Sequence, residues 1–231
     1  MSLSERRVDL AVVLGVLIAL NLANAFLLDS WPEAVIQIVV ALAVVGFALR
    51  RGYSAAALGL SRAAVGAGVR LGAVLSAVIV AGVIVLAAVP FGRGFLEDER
   101  FTDMSGWSVL YELSVRIPVI TALSEELLFR SVLLIVLLGL LTTVWSVIWC
   151  SLCFGAWHIL TTLGDLTDNA TTDSLGGPAQ IGAVLGIVAV TATAGAVFAW
   201  TRLRSSSIVA PWLIHTTLNG ATFAAGLIVA A

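Results

Sequence analysis

Apolar residues gather into seven long runs, roughly Leu10 to Leu28, Ala34 to Leu49, Val69 to Val89, Ile117 to Leu141, Val144 to Leu163, Ala179 to Trp200 and Ile208 to Ala230, with short polar stretches between them. Several reach the roughly 20 residues that a helix needs to cross a bilayer. The pattern predicts an all-α, polytopic membrane bundle of about seven to eight transmembrane helices. Ahead of the fourth run, Glu112 and Arg116 stand four residues apart. The stretch Trp107 to Arg116 therefore extends that helix upstream or forms a short eighth helix at the interface, with Pro118 as a kink. Thr161 to Gly177 reads as a polar, mobile loop. Arg6-Arg7, the first run and Ala23-Asn24-Ala25 together resemble a signal peptide. We read an uncleaved first span, since polytopic chains often carry basic residues there. The organisation expected is one integral-membrane domain over 1–231, with the chemistry in a core of about 106–231.

Composition narrows the class. Hydrophobic residues make up 60% and charged residues 11%, with a mean hydropathy of +1.09, whereas a soluble domain is typically about 25% charged. Nucleic-acid binding has no basic patch to support it. All twelve basic residues are arginine, a usage we read as coding bias of a GC-rich bacterium.

Charge placement says more than the net charge of -2. With a cytoplasmic N-terminus, Arg6, Arg7, Arg50, Arg51, Arg62, Arg70, Arg202 and Arg204 fall inside, and only Arg93 and Arg100 fall in outside loops. The outside loops then hold Asp29, Glu33, Glu97, Asp98, Glu99, Asp103, Asp165, Asp168 and Asp173. Trp31, Trp107, Trp145 and Trp200 lie near span ends, where indole suits the headgroup boundary. Gly68-x-x-x-Gly72 and Gly182-x-x-x-Gly186 allow close helix approach and serve folding as well as dimerisation, so no oligomeric state is assigned. Cys150-x-x-Cys153, with no second pair to complete a metal site, reads as buried packing.

Against this apolar background a few polar residues stand out. Glu125, Glu126 and Arg130 occupy the fourth run, where ionised groups at membrane depth are costly and mark function. Residues four apart share a helix face, so Glu126 pairs with Arg130 while Glu125, about 100 degrees away, stays free. A desolvated carboxylate takes a proton more readily than a wet one, the condition for a general base acting on water. The bland alternative is an ion pair that ties helices together.

Phe154 and His158 share a face of the fifth run. Such a histidine is commonly a hydrogen-bonded packing residue, but imidazole can also donate, accept or bind metal. His215 and Asn219 share a face of the last run, where both can donate to one oxygen. Such donors stabilise an oxyanion in a water-poor site; the alternative is interhelical hydrogen bonding. A Ser124 or Cys153 nucleophile is disfavoured, because neighbouring helical residues do not face one another.

The ordered set Glu-Glu-x-x-x-Arg, Phe-x-x-x-His and His-x-x-x-Asn, over Ser124 to Asn219 and with the approach Ser207-Ile208-Val209-Ala210-Pro211, resembles the CPBP family of intramembrane proteases. That family includes CAAX prenyl endopeptidases and bacterial proteins linked to bacteriocin processing or immunity. The resemblance implies an intramembrane cavity in which Glu125 and His158 activate a water that attacks a peptide carbonyl, while His215 and Asn219 hold the oxyanion. Glu126 and Arg130, with Phe154, would order the site. It also implies a protein or peptide substrate, lipid-modified or membrane-embedded, met in membrane lipid of a bacterial plasma membrane. No cofactor is expected. A zinc alternative would use Glu125, His158 and His215 as ligands, leaving a position for water. It lacks the His-Glu-x-x-His spacing, and Asn219 suits an oxyanion better than a ligand sphere. A non-catalytic scaffold or immunity protein is the other alternative. A small transporter would show inverted repeats with paired broken helices, and the two halves show no such echo.

Overall fold

The computed structural model describes residues 2–27, 30–94, 96, 104–168 and 177–230. The expected outer-loop residues Asp29, Glu97, Asp98, Glu99, Arg100, Asp103 and Asp173 lie outside the described residues, as do the side chains of Trp31, Asp165 and Asp168. Among the described residues the chain is helical throughout, without strands. The long helices are α1 (Leu3–Phe26), α2 (Ser30–Arg50), α3 (Val65–Ala88), α4 (a continuous helical path over 106–138), α5 (Thr143–Asp168), α6 (Gly177–Ser205) and α7 (Val209–Ala230). Six of them are long and apolar enough to cross a membrane, all except α4. This is an integral membrane protein.

α4 is the exception because it is the core. Every residue from Ser124 to Leu134 is buried, so the charges it carries meet protein groups rather than lipid. Its winding alternates: Gly106–Tyr111, Ser124–Glu126 and Leu134–Leu138 are α-helical, while Glu112–Leu123 and Leu127–Leu133 are π-helical. Pro118 lies in the first π stretch, where it lacks an N–H to donate. The stretch Trp107 to Arg116 extends this helix upstream, and Arg116 pairs with Glu112 at 3.1 Å.

Small residues let the outer helices close on α4 and on one another. A Cβ at Gly72 would lie 2.9 Å from Leu213 Cδ1, and one at Gly68 would lie 2.7 Å from Ser207 Oγ. The first glycine pair therefore serves α3–α7 packing within the chain. Thr217 Oγ1 to Ser76 Oγ, at 2.9 Å, adds a polar contact along the same seam. Around Gly182 and Gly186 the space is open. Gly155 brings α5 against α6, where a Cβ would sit 2.8 Å from the Val188 carbonyl oxygen. Cys150 is buried and faces the Phe129 carbonyl at 3.4 Å, and both cysteines are free.

One expectation changes. The segment expected as a loop from Thr161 is helical to Asp168, and 169–176 lies outside the described residues. Thr162 Oγ1 donates to the His158 carbonyl at 2.7 Å, so its hydroxyl is satisfied inside the helix instead of breaking it. Arg202, expected among the inside positions, is buried under the turn that follows α2 and donates to the Ala57 carbonyl. Gly59 in that turn adopts φ +79 and accepts from Ile208 N at 3.0 Å, while Leu58 accepts from Ser131 Oγ at 2.8 Å. The turn thus seals one end of α4 against the α6–α7 junction.

Candidate active site

The carboxylates of α4 divide their partners. Glu126 lies 3.3 Å from Arg130 Nη1, one helical turn on, and also accepts from His215 Nδ1 of α7 at 2.9 Å. Glu125 points to a different neighbourhood: Oε1 accepts from the Trp157 indole N–H at 3.2 Å, and Oε2 lies 3.8 Å from His215 Nε2. That Oε2 is buried without a hydrogen-bond partner among the described residues. Both glutamates, Arg130 and His215 are buried.

A positive charge in such a place needs more than one anion, and the aromatic residues supply the rest. The Arg130 guanidinium carbon is 3.9 Å from the Phe154 ring centroid, 5.0 Å from that of Phe198 and 5.7 Å from that of Phe129. Desolvated cation–π contacts of this kind contribute up to about 2 kcal/mol. Gly195 of α6 makes the space, since a Cβ there would come within 3.2 Å of Arg130 Nη2 and 3.1 Å of Phe154. Phe198 also stacks on His215, centroids 4.8 Å apart and planes 24° apart. His215 is thereby held by a ring on its face and a carboxylate on Nδ1, which leaves Nε2 as its available nitrogen.

His158 is half-buried, and its Nδ1 lies 2.8 Å from the Phe154 carbonyl oxygen. A carbonyl only accepts, so Nδ1 carries the proton and Nε2 of the neutral ring is an acceptor. Its ring meets Phe154 edge-on at 4.8 Å, and Phe154 meets His215 at 5.9 Å. Phe154 is thus the common neighbour of both histidines and Arg130. Asn219 is half-buried, one turn beyond His215, and its carboxamide makes no hydrogen bond to another described residue. The structure brings Glu125, Glu126, Arg130, Phe154 and His215 into one cluster, reaches His158 through Phe154, and leaves Asn219 on the same face of α7.

A model of the type II CAAX prenyl endopeptidase Rce1-like family matches residues 106–221. The chain belongs to this family. Among curated proteins and solved structures, nothing matches it. The Rce1-like match begins where α4 begins and ends just past Asn219, so it spans the whole cluster. Membership in a CAAX endopeptidase family makes proteolysis the activity class of this fold, and α1 to α3 surround the matched region as further membrane helices.

Zinc would need three donors converging on one point. Among the described residues no three His, Cys, Asp or Glu side chains do so. Glu125, His158 and His215 do not form such a group in this arrangement.

The motif reading passed over several residues. Trp157, which directs one oxygen of Glu125, stands next to His158 in the sequence, yet an apolar helix with Trp at this spacing looks like packing. Its carbonyl accepts from Asn21 Nδ2 of α1 at 2.8 Å, which ties the first helix to the site. Gln37 of α2 donates to Ser124 Oγ at 2.8 Å, and Ser124 itself donates to the Ile120 carbonyl. Ser124 is therefore fully engaged. Phe198 and Gly195 lie in a run of small and apolar residues without any local signal.

Proposed function

We propose that the protein is an intramembrane endopeptidase in which Glu125 is the general base for an attacking water. The observation that carries this is the division of Glu125: Oε1 is held by the Trp157 indole while Oε2 is buried and unpartnered, facing His215. A water on Oε2 gives its proton to Glu125 as its oxygen bonds to the peptide carbonyl carbon. The resulting oxyanion is received by His215 Nε2, which donates when the ring is protonated, and by the Asn219 carboxamide; donors of this kind contribute roughly 2.7 to 4 kcal/mol each. Collapse breaks the C–N bond, and Glu125 returns the proton to the leaving amine. His158 Nε2, the acceptor on its ring, assists in holding the water. Glu126, Arg130 and Phe154 hold His215 and α4 in place.

The substrate is a protein or peptide that reaches the site within lipid, membrane-embedded or lipid-modified. The arginine-rich ends of the helices face the cytoplasm, as does the N-terminus, in the plasma membrane of a bacterium. The test is cleavage of a fluorogenic peptide library by the purified wild type and Glu125→Gln, each with and without a chelator. The reading expects wild-type cleavage that survives chelation and a loss of about 100-fold or more in the variant. Equal cleavage by a folded Glu125→Gln protein would remove Glu125 as the base, and loss on chelation would return the metal alternative.

A further inference from the structure

Away from this cluster, a cavity of about 570 Å³ lies where α1 begins and where α2 and α4 end. Its lining combines polar Arg6, Arg51, Tyr53 and Ser54 with apolar Ile135 and Leu138. None of these belongs to the candidate active site. Asp9, buried beneath, lies 2.6 Å from Arg51 Nε and accepts from the Tyr53 hydroxyl at 3.2 Å. One carboxylate therefore stands against two guanidinium groups. Glu5, the other acid at this end of α1, is turned back onto Ser2 in a capping box.

The Arg6 backbone N–H donates to the Ser2 carbonyl at 3.2 Å, but its guanidinium makes no hydrogen bond or ion pair with another described residue and lies against Gly139. A Cβ at residue 139 would lie 1.8 Å from Arg6 Nη1. Gly139 has φ -77 and ψ -11, a conformation open to any residue. The backbone does not require glycine there; the near atoms are the far end of the Arg6 side chain, which would have to turn aside for a methyl group. Ser54 Oγ accepts from Ala57 N at 3.1 Å, so its own proton is available.

We propose that this cavity binds a phosphate anion, carried by an acidic phospholipid headgroup or free in solution. Guanidinium groups match phosphate oxygens in geometry and charge, and basic pockets between membrane helices take acidic headgroups. Arg6, the Nη atoms of Arg51 and the Ser54 hydroxyl supply the donors. Ile135 and Leu138 supply a surface for the glycerol and first methylene groups of a lipid.

The experiment is native mass spectrometry and thermal unfolding of the purified full chain with phosphatidylglycerol, phosphatidylcholine or inorganic phosphate. The wild type is compared with Arg6→Gln, Gly139→Ala and Arg62→Gln. Retention of phosphatidylglycerol over phosphatidylcholine by the wild type and Arg62→Gln, weakened roughly fivefold in Arg6→Gln, is expected. Gly139→Ala keeps every charge but displaces Arg6, so it too should weaken binding. Stabilisation by inorganic phosphate, lost in the same two variants, supports the site with the free anion as its ligand. Wild-type selectivity in both Arg6→Gln and Gly139→Ala, or no preference for either phosphate source in the wild type, overturns the proposal. The readout is binding, independent of peptidase activity.

Discussion

The indole N–H of Trp157 donates to Oε1 of Glu125 at 3.2 Å, across two helices. One carboxylate oxygen is held by the indole, and the other is buried without a hydrogen-bond partner among the described residues. Hydrogen bonds to charged groups contribute about 1.5 to 3 kcal/mol. Trp157→Phe keeps an aromatic ring beside Phe129 but removes the donor. We expect about a tenfold or greater drop in kcat, little change in KM and a lowered unfolding midpoint, since a buried carboxylate oxygen loses its donor. Steady-state kinetics with a cleavable peptide checks this; an unaltered kcat would show that Glu125 is positioned without the indole.

Arg130 has no water to return to. With Glu126 and His215 on one side and three phenylalanine rings around it, Arg130→Met leaves a buried carboxylate poorly compensated. Breaking a buried pair from one side costs roughly 3 to 5 kcal/mol. Adding Glu126→Gln should recover much of that loss. Denaturant titration of the single and double variants in detergent gives the comparison, and equal stability of the two would contradict the pairing.

The two glycine pairs make opposite predictions. Gly72→Val drives a side chain into Leu213 and the Ala210 backbone, an overpacking that costs about 1 to 3 kcal/mol. Gly186→Val enters open space and should leave the unfolding midpoint of the monomer nearly unchanged. Thermal unfolding of both variants decides whether α3–α7 contact depends on glycine.

Tyr53 supplies a pH signature. Burial first, then the charge and hydrogen bond of Asp9, push its phenol from 10.0 up to about 12. Above pH 10 the unfolded chain gives up this proton while the folded chain keeps it, so stability falls as pH rises from about 10 through 12. The chain has no lysine, and Tyr111 is its only other tyrosine, but its two free cysteines also lose protons in alkaline solution, so Tyr53 accounts for a share of the decline. Tyr53→Phe should lessen the alkaline decline in unfolding midpoint. A decline as steep in the variant would assign it elsewhere.

The sequence by itself determined the membrane class, the helices and the order of the polar motifs. These are local properties: apolar length sets a span, and i,i+4 spacing puts Glu126 beside Arg130 and Phe154 beside His158. Glu112 and Arg116 were legible for the same reason. What only the tertiary structure decided is which groups meet across helices. His215 finds Glu126 over a separation of 89 residues, and Trp157 finds Glu125 over 32. Phe198 and Gly195 join the site because α6 packs on α5, and Arg6 meets Gly139 because α1 begins where α4 ends. Each of these pairings depends on the close approach of whole helices. Glycine and alanine at the seams permit that approach, but their smallness alone does not say which helix arrives.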